Sequence, residues 1–269
     1  MTEPEIRAYY ERNAERDRLA SGGRRVEFLR VWDLLERHLP PAPATVLDVG
    51  GGAGVYSIPL AAAGYEVHLI DAVPLLVEQA AEASRAAAVP LASASVGDAR
   101  ALEAPDGRAD AVLLLGPLYH LISRDDRVAA LREARRATRP GGVVIALALS
   151  RLYPLLEELV LGTTGWDGDA ARFLADGQYR NQTGDVTGFT TSYFHRPEDL
   201  ASEVADAGLM LEQVAGASGI VKLMLPDLGQ RLDDERSREQ ILTALRLLEN
   251  EPSVLGLSQN FVAIGRVTR

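Results

Sequence analysis

The sequence predicts an α/β protein built on a parallel sheet with helices on both faces. Three observations carry that reading. Short apolar runs alternate with helical patterns from residue 44 to residue 150, which implies right-handed β-α-β crossovers. The first run ends in Asp48-Val49-Gly50-Gly51-Gly52-Ala53-Gly54, a strand breaking into a glycine turn before a helix. The chain has 269 residues, of which 47% are hydrophobic, enough to build a full core and to exclude wholesale disorder.

The elements follow in order. Residues 5–38 carry apolar side chains at helical spacing, including Tyr9, Tyr10, Leu19, Leu29 and Trp32. They read as two helices broken at Ser21-Gly22-Gly23. Pro40-Pro41-Ala42-Pro43 ends this cap. Strands are predicted at 46–49, 66–70, 92–96, 109–115 and 143–148. Between them, helices are predicted up to Ala63, over 74–87 and over 125–138. Gly64 closes the first, Pro74 opens the second, and Arg139-Pro140-Gly141-Gly142 stops the third. Residues 151–190 break the rhythm with an apolar helix over 152–161 and a Gly/Thr/Asp-rich stretch. A helix to Ala207, a strand at 209–214, a helix at 235–248 and a strand at 259–267 finish the chain. The expected organisation is a helical cap (1–40) on one domain (41–269), with 151–195 inserted as a lid.

Composition excludes several classes. There is no cysteine, so disulfides, thiolate metal sites and cysteine nucleophiles are absent together. Net charge is −10, and no basic stripe with interleaved aromatics offers a phosphate footprint, so no nucleic-acid partner is expected. No apolar run reaches membrane-span length, and the acidic start Met1-Thr2-Glu3-Pro4-Glu5 lacks an apolar signal core. A cytoplasmic monomer or homodimer with no membrane partner is the expectation.

Ligands of open α/β sheets bind at the carboxyl ends of the strands. The residues there are Gly50–Gly54, Asp71-Ala72, Asp98-Ala99 and Gly116-Pro117-Leu118-Tyr119-His120. The glycine spacing is not that of a dinucleotide site, because Val55 stands where the third glycine belongs, and no Gly-Lys-Ser/Thr of a P-loop follows. A carboxylate at Asp71 suits a ribose diol, or caps the following helix. Asp98 and the Ala99 N–H suit an adenine edge, or form an ordinary loop turn.

Asp48–Gly54, Asp71, Gly97-Asp98-Ala99, Asp110–His120 and Arg139–Gly142 occur in the order and spacing of a known family. They resemble the motifs of class I S-adenosylmethionine (SAM)-dependent methyltransferases. The resemblance implies a Rossmann-like, doubly wound, seven-stranded sheet with the last strand antiparallel. It also implies SAM as cofactor, leaving as S-adenosylhomocysteine. Asp71 would then bind ribose, Asp98 adenine, and Asp48 would organise the loop near the methionine amino group. Gly116-Pro117-Leu118-Tyr119 replaces the (Asn/Asp)-Pro-Pro-Tyr motif of amino-methylating DNA enzymes. With the acidic balance, this favours a small-molecule acceptor, methylated on O, N or C.

Gly116–Leu121, the segment 189–198 and the N-terminal Tyr9-Tyr10 with Glu15–Leu19 resemble a group of bacterial small-molecule methyltransferases. By that resemblance Tyr10 would lie at the cofactor, and Arg18, favoured over Arg16, would meet its carboxylate as a bidentate partner; the alternative is a solvated charged helix face. Two histidines are candidate bases: His120 after strand four and His195 at the end of the lid. The alternative for each is an ordinary hydrogen-bonded histidine. His38 and His68 read as structural. No acidic cluster has metal-ligand spacing, so no metal is expected.

Overall fold

The computed structural model describes residues 8–10, 19, 21–162, 170–181 and 189–268. Nine strands lie among them: β1 (Thr45–Val49), β2 (Glu66–Asp71), β3 (Ser93–Val96), β4 (Ala109–Leu114), β5 (Thr138–Leu149), β6 (Gln178–Tyr179), β7 (Ser192–Tyr193), β8 (Met210–Gly216) and β9 (Asn260–Arg266). Seven form one sheet in the order β3-β2-β1-β4-β5-β9-β8. The pairs from β3 to β5 are parallel, and β9 is antiparallel to both β5 and β8. The seven-stranded sheet with an antiparallel last strand, expected from the family resemblance, is observed.

The central strands are near-continuous apolar runs because both faces of the sheet are covered. Alternate residues serve opposite faces. Val46, Leu113, Val143, Ile145 and Leu147 pack with α1 (Arg25–His38), α2 (Ser57–Ala62) and α3 (Pro74–Ala86) through Leu34, Leu35, Leu60 and Val77. Leu47, Val112, Leu114, Val144 and Ala146 pack with α4 (Arg124–Ala137) and α7 (Pro197–Asp206) through Leu131, Ala134, Leu200 and Val204. Helices on both faces make the sheet doubly wound.

Helix α1 sinks into this core. Its Arg30 is fully buried between Asp33 and Glu249, at 2.5 Å from the latter, so the helix is pinned to the chain that follows α10 (Glu235–Leu248). The predicted strands and long helices are found within a few residues. Strand β5 is the exception: it begins at Thr138, which pairs with Ala109 before an irregularity carries the ladder past the Arg139–Gly142 turn.

After β5 come α5 (Tyr153–Leu161), α6 (Ala170–Asp176) and the small antiparallel hairpin β6–β7. The hairpin has no counterpart in the sequence reading. Short helices α8 (Val221–Met224), α9 (Leu228–Asp233) and α11 (Pro252–Leu255) were also not anticipated. Among the described residues, no helix is long and apolar enough to cross a membrane.

Candidate cofactor and acceptor site

Chain order reverses between β1 and β4: the chain runs from β1 outward to β3, then crosses back to β4 on the other side. The carboxyl ends of β1–β4 open there into a cavity of about 550 Å³, within the usual range for small-molecule sites.

The loop after β1 is held tight. Gly50 N–H donates to Ile70 O at 2.7 Å, and Gly54 N–H to Gly51 O at 3.0 Å. Gly50 has φ +74°, and a Cβ on it would stand 2.6 Å from Pro117 Cδ. A Cβ on Gly116 would stand 2.6 Å from Gly50 O. The two loops therefore meet backbone to backbone, which only glycine permits. Gly52 differs. Its φ is +57°, and nothing lies within 4 Å of where a Cβ would be, so its open face belongs to the cavity. Gly54 does not line the cavity; its φ of +90° serves the turn into α2.

Asp71 ends β2. Its Oδ2 accepts the Gly52 N–H and its Oδ1 the Val73 N–H, both at 2.9 Å. Asp71 thus ties the glycine loop to the turn after β2 while lining the cavity. Burial raises its pKa, opposed by these backbone donors and that of Ala72. A carboxylate accepts roughly four hydrogen bonds, so acceptor capacity remains. Asp48, inside β1, takes the Ser57 hydroxyl on Oδ2 at 2.6 Å. Its Oδ1 is buried without a partner. Burial pushes the Asp48 pKa up to about 6; the Asp71 carboxylate adds to the rise and Ser57 opposes it. An ionised Asp48 at the cavity wall is therefore short of one cationic or donor group.

Asp98 and Ala99 follow β3 at the cavity edge. Arg100 grips Asp98 through Nε at 3.0 Å and Nη2 at 2.7 Å, and reaches Asp126 at 3.1 Å. Hydrogen bonding to Arg100 holds Asp98 well below the usual carboxylate range. Arg100 and Asp126 line the cavity and were missed in the sequence reading; a basic residue two positions after Asp98 was the available signal.

His120 closes a short turn after β4 (Leu118–His120). Its Nε2 lies 2.6 Å from the Tyr10 hydroxyl. Tyr119, Tyr10 and Phe189 surround its ring at 4.5, 5.3 and 6.3 Å. Burial pushes its pKa down to about 4, opposed by hydrogen bonding with the Thr191 backbone. The imidazole is neutral at pH 7. Gln178 and Arg180, from the unanticipated hairpin, line the cavity as well.

The structure thus gathers Tyr10, Asp48, Gly50, Gly52, Asp71, Ala72, Asp98, Ala99, Gly116 and His120 around one cavity. Arg18 lies outside the described residues. His195 is not brought there, which corrects its candidacy as a base. It is fully buried, with Nε2 at 3.2 Å from Glu203 Oε2 and its main chain hydrogen-bonded to Leu149 and Arg151. His38 and His68 bond Gln213 and Ser93, as structural histidines do. Among the described residues, no group of three or more His, Asp or Glu is placed to hold a metal.

A family model for a methyltransferase domain matches residues 46–142. Over 186 residues the chain is 32% identical to a ubiquinone biosynthesis O-methyltransferase of Xanthomonas axonopodis pv. citri, covering 68% of this chain and 70% of that one. A SAM-dependent methyltransferase of Methanosarcina mazei has the same fold, with TM-score 0.58 and 16% identity over 87% of this chain and 97% of that one. Phosphoethanolamine N-methyltransferase 2 of Haemonchus contortus, solved with SAM, matches with TM-score 0.56 and 13% identity over 90% and 53% of the two chains. The solved structures speak for the fold, and the 32%-identical relative carries the kinship. On that relationship, the chain belongs to the class I SAM-dependent methyltransferases.

Proposed function

We propose that the protein methylates a hydroxyl oxygen of a small, largely apolar acceptor, with His120 facing that hydroxyl. The observation that carries the reading is the His120 Nε2, hydrogen-bonded to a tyrosine hydroxyl inside the cavity at 2.6 Å. An acceptor hydroxyl fits the place that the Tyr10 hydroxyl holds. Oxygen as the attacked atom is supported by the relative's name as an O-methyltransferase.

The residues present fit SAM. The unpaired Asp48 Oδ1 suits an ammonium group, Asp71 suits a diol, and the open face of Gly52 leaves room against the loop. Asp98 and the Ala99 N–H are assigned to adenine, and Arg18 to the carboxylate. When bound, SAM supplies an electrophilic methyl on a positively charged sulfonium. The protein's own work is to orient the acceptor, exclude water and take a proton. Tyr119, Leu121 and Ile122 form an apolar wall beside His120. Arg180 and Gln178 place polar groups at the same cavity, suiting an acceptor with an anionic or carbonyl substituent. The acidic net charge supports a small molecule over a nucleic acid.

The test is an acceptor panel of phenols, catechols and hydroxybenzoates, with matched amines as controls. Incubation with isotopically labelled SAM, followed by mass spectrometry, should show label transfer to a hydroxyl compound, lost in His120→Ala. Transfer only to amines, or undiminished transfer by His120→Ala, contradicts the reading.

A further inference from the structure

A buried ionic group stands behind the wall that carries His120. Arg127, in the first turn of α4, is 1% exposed. Its Nε and Nη2 donate to Glu203 Oε1 at 2.9 and 2.7 Å. Its Nη1 donates to the carbonyls of Leu121 and Ile122 at 2.8 and 2.7 Å. The guanidinium carbon lies 3.5 Å from the centre of the Tyr193 ring. Glu203 is held in turn by His195 on its other oxygen.

These partners belong to two separate pieces of the cavity. Leu121 and Ile122 follow His120 directly and line the cavity. Tyr193 lies on β7, which pairs with β6, where Gln178 lines it too. One side chain therefore touches the turn carrying His120 and the hairpin packed against it. Burying a charge pair costs several kcal/mol and is often no better for stability than apolar packing. The two carbonyls, in a half-buried turn, nonetheless both take their donor from this one side chain. Only a planar fork with five N–H groups serves two carbonyls and a carboxylate while stacking on a ring.

We propose that Arg127 is a positioning residue for methyl transfer, clamping the turn at Leu121-Ile122 to the β6–β7 hairpin so that His120 keeps its place in the cavity. Glu203 and His195 hold the clamp from behind. His195 is thus part of the support of the site and not a base within it. The inference rests on the reading of His120 as the group that faces the acceptor, but its test needs no acceptor.

The chain has four histidines, so their imidazole ¹⁵N resonances can be followed singly across pH in the full-length protein with S-adenosylhomocysteine bound. In the wild type His120, whose pKa burial lowers to about 4, should stay neutral above that pH. Charged groups facing it directly are absent from its described hydrogen bonds and ring contacts; Tyr10, Tyr119 and the Thr191 backbone face it. Arg127→Lys keeps the charge near Glu203 but loses the fork. It should raise the His120 midpoint by about one unit or more as water enters the wall. His68, remote from the clamp, should not move, and S-adenosylhomocysteine affinity should stay within about threefold, or 0.7 kcal/mol. Tyr193→Leu, which removes only the stack, should shift His120 in the same direction by less. An unchanged His120 titration in either folded variant overturns the proposal. So does a shift accompanied by an equal loss of S-adenosylhomocysteine binding, since the effect is then on the whole site. Failure of His120→Ala to slow turnover would instead strike the base assignment alone.

Discussion

At the scale of single residues, the site holds two groups poised against their ordinary protonation. Asp48 has a pKa near 6 in the folded protein against 3.8 for an ordinary aspartate. Between those values the folded chain keeps a proton that the unfolded chain has released. Stability from this group therefore falls as pH rises through that window. Above it the buried carboxylate costs about 3 kcal/mol. A bound ammonium group would repay that cost. Asp48→Asn should accordingly raise the melting temperature of the ligand-free protein at pH 7 while weakening SAM binding. In the wild type, kcat/KM for SAM should drop as pH falls below about 6, and the Asn variant should lack that limb. Calorimetry and pH–rate profiles read both effects. His120 behaves oppositely: burial lowers its pKa to about 4, so the imidazole is an acceptor throughout pH 5–8. With a pKa that low, kcat should show no histidine limb near pH 6.5. His120→Ala should lower kcat by roughly 10²–10⁴-fold if Nε2 takes the proton. If it only orients the hydroxyl, Asn at this position should retain most activity.

At the scale of elements, two glycines of one loop do different work. A side chain on Gly50 collides with Pro117, whereas one on Gly52 meets only open cavity. Both substitutions carry the cost of a positive φ, about 1–2 kcal/mol. Gly50→Ala should therefore lower the melting temperature by clearly more than Gly52→Ala, because it also forces β1 and β4 apart. Gly52→Ala should instead cost chiefly ligand affinity. Thermal melts set beside S-adenosylhomocysteine titrations separate the two, and equal effects on both readouts would count against the assignment. The N-terminal segment is the other case. Tyr10 reaches His120, and Leu19 packs into the core. Deleting residues 1–20 should impair turnover more than it loosens the sheet. Full activity in that truncation contradicts a part for the N-terminal segment at the acceptor side of the cavity.

The strands and the cavity-lining residues at their ends were legible because alternation and glycine spacing are local signals. Asp48, Asp71, Asp98 and His120 each sit where a strand stops or just beside it, so finding the strand finds the residue. The β6–β7 hairpin was not legible. Two-residue strands carry no period, and the pairing of Gln178 with Tyr193 spans intervening chain. His195 was misplaced for a related reason: its position in sequence, after the lid, says nothing of α7 folding Glu203 over it. Arg127 reads in sequence as one more charge on an amphipathic helix. Only tertiary packing turns it inward.

At the scale of the whole molecule, the account is a seven-stranded α/β sheet whose chain reversal between β1 and β4 creates one cavity. The proposal is that the cavity's polar groups take a nucleoside joined to an amino acid, with Asp71 and Asp98 at one part and Asp48 at another. That claim is separate from the identity of the acceptor. It is tested most directly by calorimetric titration of the full-length protein with S-adenosylhomocysteine, in parallel with NAD⁺ and with the Asp71→Ala variant. The account predicts saturable S-adenosylhomocysteine binding, no heat from NAD⁺, and a loss of roughly 1–3 kcal/mol in the folded variant. NAD⁺ binding in place of S-adenosylhomocysteine, or an Asp71→Ala variant that binds as tightly as the wild type, contradicts it.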